Sequence, residues 1–64
     1  MMTTTAYYRT LAADFESRLE WGRAADAWQR AIDLYPVRRG ELAEHDINLL
    51  TERRDACLRA YFPE

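Results

Sequence analysis

Between Trp21 and Pro36 the apolar residues Ala24, Ala25, Trp28, Ala31, Ile32 and Tyr35 fall at the i, i+3, i+4, i+7 spacing of a helix. They occupy about one third of its circumference. Pro36 lacks the amide that a further turn requires and ends the pattern. Small alanines alternate with large aromatics along this face, so a neighbouring helix can approach at the alanines and lock around Trp28. The stretch therefore demands a helical partner, and it argues for packing rather than for chemistry.

The flanking sequence supplies the partners. Met1 to Thr5 is a polar lead-in in which Thr4 or Thr5 can cap a helix by accepting from a free backbone N–H. In the next segment Tyr8, Leu11, Ala12, Phe15 and Leu19 share one face, while Arg9, Asp14, Glu16 and Arg18 lie elsewhere. Glu20, Trp21 and Gly22 form the joint; Gly22 is expected to supply the turn, and Trp21 can equally begin the second helix. A connection this short sets the two helices antiparallel, as a hairpin. Asp14 with Arg18 and Asp26 with Arg30 are acid-first pairs four residues apart, each worth only ~0.2–0.5 kcal/mol.

Pro36 to Gly40 is a second break, carrying Arg38 and Arg39. From Glu41 the chain becomes helical again, with Glu41 and Glu44 in the first turn and Arg59 in the last, as the helix dipole favours. The expected fold is all-α: a single domain of three helices over about 6–19, 22–35 and 41–62. Its first two helices form the antiparallel hairpin and the third, longer one packs across it. The expected core is Tyr8, Leu11, Phe15, Ala24, Trp28, Ala31, Ile47, Leu50 and Cys57.

The third helix carries two apolar rows. Ala43, Ile47, Leu50, Cys57 and Tyr61 make the main one; Leu42, Leu49, Ala56 and Ala60 make another a quarter-turn or more away. Two rows exceed what one hairpin needs, so the second is expected to meet another copy of the chain or a different protein. The alternative is that the hairpin covers both. Arg54 falls near the centre of the main row, where an unpaired charge is costly. It must snorkel outward, meet an acid across a contact, or mark where the hairpin ends.

Composition narrows the function. At 64 residues the chain is near the size where one core gives marginal stability. Cys57 is the lone cysteine, so no internal disulfide supports the fold, and with His45 it makes no zinc site. Self-association remains as the support, and a homodimer is expected. The net charge of −2 argues against a dedicated nucleic-acid binder, which usually carries a basic face. All nine basic residues are arginine, the cation favoured in interfaces. No apolar run approaches the ~20 residues of a membrane span, and the first residues lack signal-peptide features, so a cytoplasmic protein with no membrane partner is expected.

No catalytic, cofactor or metal set stands out, and an enzyme is not expected. Asp14 and Glu16, like Glu41 and Glu44, read as exposed helix charges, and no Gly-rich phosphate loop is present. Cys57 reads as a small buried hydrophobe without an activating neighbour, and His45 as a surface residue. Arg38, Arg39, Arg53 and Arg54 have no acid four residues before them to pair with. Arg38 and Arg39 are candidates to contact an anion or an acidic partner. Tyr7, Leu42, Leu49, Arg53 and Arg54 are the candidates for a subunit or partner surface.

Residues 8–36 resemble a tetratricopeptide repeat. Tyr8, Leu11, Ala12 and Phe15 match the places of its first helix, and Ala24, Trp28, Ala31 and Pro36 those of its second. The whole chain is also similar to two groups of very small bacterial and phage regulators. Negative regulators of AraC-type activators, the ANR family, share an early tyrosine (Tyr7 or Tyr8), a hairpin pattern matched by Gly22, Ala27 or Ala24, Trp28 and Ala31, and a final cysteine-bearing helix, here with Cys57. PerC-type activators carry R-R-x-x-C-L in the last helix, matched by Arg53, Arg54, Cys57 and Leu58. Small early-region proteins of lambdoid phages fit the same description. The resemblance implies a helical dimer that binds a larger transcriptional regulator and alters its activity. The alternative is a small dimeric DNA-binding regulator in which paired arginines converge on one duplex.

Overall fold

The computed structural model describes residues 4–36 and 39–63. Its three helices are α1 (Thr5–Ser17), α2 (Trp21–Asp33) and α3 (Glu41–Tyr61), with no strand among the described residues, so the fold is all-α. Thr4 is the cap of α1: its hydroxyl accepts from the Tyr7 amide at 3.2 Å, satisfying a donor that has no partner within the helix. Thr5 instead donates its hydroxyl to the Ala31 carbonyl at 2.9 Å, joining the start of α1 to the end of α2.

The turn between α1 and α2 is built differently from expectation. The Leu19 amide donates to the Glu16 carbonyl and the Glu20 amide to the Phe15 carbonyl, both at 2.9 Å, with Leu19 itself at φ +61°. This is the paired closure that glycine normally provides just beyond a helix end. Leucine occupies the reversing position, so α1 stops at Ser17 rather than Leu19. Gly22, expected to make the turn, lies within the first turn of α2. A Cβ there would sit 2.9 Å from Cε1 of Tyr61, so the Tyr61 ring of α3 rests against the bare glycine.

α2 is the middle of the layer. It packs against α1 on one side and α3 on the other, while α1 and α3 barely touch. Tyr61 lies against Gly22, Arg54 reaches Gln29, and Tyr35 donates to Asp46, so α3 runs antiparallel to α2 and parallel to α1. The resulting slab measures 35 × 30 × 14 Å. Having two neighbours, α2 buries Ala24, Ala25, Ala27, Trp28, Ala31 and Ile32. α1 buries only Ala12, and α3 buries Ala43, Leu50 and Cys57. Tyr8, Phe15, Trp21, Tyr35 and Ile47 are half-buried against this cluster. Leu11, expected in the core, is also half-buried, on the flank of the hairpin.

Gly40 starts α3 at φ +98°, and its carbonyl accepts the Glu44 amide at 3.0 Å. Glu41 and Glu44 occupy the first turn and Arg59 the last. Arg54 resolves its position on the main row by meeting an amide. Nη1 donates to Gln29 Oε1 across the α2–α3 contact, and Nε and Nη2 donate to Asp55 Oδ1 at 3.0 and 2.9 Å. Its side chain is 29% exposed, and its guanidinium is engaged by contacts within the chain. The second row stays uncovered within one chain: Leu42 is 83% and Leu49 45% exposed, with Ala56 and Ala60 exposed beyond them.

Candidate interaction surfaces

A slab this thin has two broad faces, and each carries a groove. The first runs along the hairpin. Tyr8, Leu11, Phe15 and Leu19 of the α1 side face Trp21, Gly22 and Ala27 of α2, with Tyr61 closing one end, around a space of about 690 Å³. Its rim charges are already matched. Arg23 meets Glu20 at 3.4 Å, and Arg30 meets Asp26 at 3.4 Å while its guanidinium carbon lies 5.9 Å from the centre of the Tyr8 ring. The Asp26 carboxylate holds the Arg30 pKa above its ordinary value.

The second groove lies on the other face, between α1 and α3. Ala6, Arg9, Thr10, Ala13 and Glu16 form one wall, Leu49, Leu50 and Arg53 the other, and Trp28 the floor, around about 580 Å³. Small residues on the α1 wall and a half-exposed leucine on the α3 wall make it open and partly apolar. At its base Glu16 Oε2 accepts from the indole Nε1 of Trp28 at 2.7 Å and from the thiol of Cys57 at 3.2 Å. One carboxylate oxygen thus joins α1 to both other helices. Glu16, read from sequence as an exposed helix charge, is half-buried and structural.

The thiol is not primed for reaction. Cys57 is 2% exposed, and desolvation, then its hydrogen bond to Glu16, push its pKa up to about 11. A thiol held protonated is a poor nucleophile and a poor metal ligand. Among the described residues no three His, Cys, Asp or Glu side chains gather where they could hold a metal ion. Among the described residues no helix is long and apolar enough to cross a membrane.

The predicted surface residues separate into groups. Leu49 and Arg53 come together on the α3 wall of the second groove. Leu42 stands apart near the start of α3. Tyr7 is exposed on α1, its ring edge-on to Tyr8 at 5.1 Å between centroids. Arg39 is exposed, and Arg38 lies outside the described residues. Arg9 was not singled out from sequence, because it becomes notable only when α3 brings Arg53 to the same groove. Comparison of the chain with protein-family models, with curated proteins and with solved structures gave no match.

Proposed function

We propose that the chain is a small protein–protein interaction module that modulates a transcriptional regulator in a bacterium or its phage, and that it works as a homodimer. The observation that carries the reading is the uncovered second row of α3, where Leu42 and Leu49 stand open to solvent in a chain of only 64 residues. Apolar side chains left exposed along one face of so small a domain are stabilised by a partner that removes them from water. The resemblance to ANR and PerC-type regulators gives the partner class, a larger regulator contacted through protein.

Two measurements test this. Light scattering over a hundredfold range of concentration should give twice the chain mass, and Leu42→Glu with Leu49→Glu should give a folded monomer. Expression beside AraC-type activators of the host should change the output of a reporter promoter, and the paired variant should weaken that change. Unaltered reporter output, together with retention on DNA that falls steeply with salt, would replace this reading by the DNA-binding one. Arg54 counts against that alternative, since its guanidinium is already taken by Gln29 and Asp55.

A further inference from the structure

We infer that the groove between α1 and α3 receives an amphipathic helix whose flanks carry carboxylates. The inference rests on the interaction-module reading and specifies the chemistry of the partner, which meets Leu49 in place of a second copy, since the groove and the second row of α3 share that side chain. Four arginines of the slab are matched to acids within the chain: Arg18 to Asp14, Arg23 to Glu20, Arg30 to Asp26 and Arg54 to Asp55. Arg9 and Arg53 form no ion pair among the described residues, and they stand on the two walls of this one groove. The only acid among its lining residues is Glu16, whose Oε2 is engaged by Trp28 and Cys57. A chain of net charge −2 therefore presents a locally positive, partly apolar trough. Two arginines set against one carboxylate around an apolar floor leave an excess of one sign, and that excess selects a partner of the other.

The shape argues for a helix. Both walls are helices whose backbone groups are already paired, so an extended segment would find no edge to hydrogen-bond and would bury its own amides unsatisfied. A helix satisfies its backbone internally and needs only a face of apolar side chains. Ala6 and Ala13 let it come close to α1, over a length of about two turns. Leu49, Leu50 and Trp28 supply the surface on which those apolar side chains rest. Glutamates or aspartates on its two flanks then lie within reach of Arg9 and Arg53. The hairpin groove lacks this selectivity, because its rim arginines are already paired.

The two tryptophans report separately on the two grooves, Trp28 in the floor of this one and Trp21 in the wall of the other. The test uses the whole chain labelled with ¹⁵N and a synthetic helical peptide of about 18 residues, with leucines at helical spacing and glutamates on the flanks. A second peptide has lysine in place of each glutamate. The glutamate peptide should shift the Trp28 indole resonance and leave Trp21 in place, while the lysine peptide shifts neither. Arg53→Glu should weaken the glutamate peptide by about tenfold, and Arg53→Lys should retain much of the affinity. Equal response to both peptides, a shift at Trp21 instead, or no shift at all would overturn the inference. A regulator found by the reporter experiment that moves only Trp21 would overturn it while leaving the module reading intact.

Discussion

Glu16 Oε2 accepts hydrogen bonds from residues 12 and 41 positions away in sequence, which is why neither partner was visible from α1 alone. Half of the arrangement was legible. A buried tryptophan needs an acceptor for its indole N–H, and Trp28 was recognisable as core from its alanine neighbours. Which acceptor it finds depends on how α1 crosses α2, and periodicity does not specify that. The thiol has a measurable consequence. Its pKa in the folded chain, about 11, is raised above its ordinary value, so folding is favoured while the group is protonated in both states. That contribution is complete below about pH 9 and is lost as pH rises towards about 11. Urea titrations across this interval should show the unfolding free energy falling, and Cys57→Ala should flatten the fall. Tyr35, raised chiefly by its hydrogen bond to Asp46, titrates with the same sign, so part of the decline persists in that variant.

At the level of elements, the three helices and their order follow from apolar spacing, whereas the α1–α2 turn does not. Gly22 looked like the turn residue because glycine usually is, but the fold uses it where Tyr61 approaches and puts Leu19 in the left-handed position. Holding a non-glycine residue there costs roughly 1–2 kcal/mol. Leu19 is 70% exposed, so replacing it gives up little buried surface. Leu19→Gly should raise stability by about 0.5–1 kcal/mol, the relief of strain being partly offset by the greater freedom of glycine in the unfolded chain. Urea midpoints compared at constant slope check this, and a lower midpoint would mean that Leu19 packs more than its exposure indicates. The width of the buried face of α2 was also underestimated. Ala27 is buried because the helix has a neighbour on each side, a fact of arrangement rather than of its own periodicity.

For the whole molecule, the layered order α1–α2–α3 makes stability uneven. α2 is covered from two sides and the outer helices from one, so the middle amides should open only with the entire fold. Native-state hydrogen exchange should therefore show the strongest protection within Ala24–Ile32. The last turn of α3, where Tyr61 and Phe62 are largely exposed, should exchange at markedly lower free energy. Equal protection along α3 and α2 would contradict the layered account. The second row of α3 was legible from sequence as an apolar surplus, but the α1–α3 groove was not, since its walls come from opposite ends of the chain.

In a slab only 14 Å through, part of the core also serves as surface. Trp28 belongs to the central packing and, through its other side, forms the floor of a groove; Leu50 is shared in the same way. On the inference drawn for this groove, substitutions at these two sites should impair folding and peptide binding together, which a mutational scan scored for both would show. Arg9 and Arg53 are exposed, so on the same inference they are where the choice of partner could change at little cost to the fold.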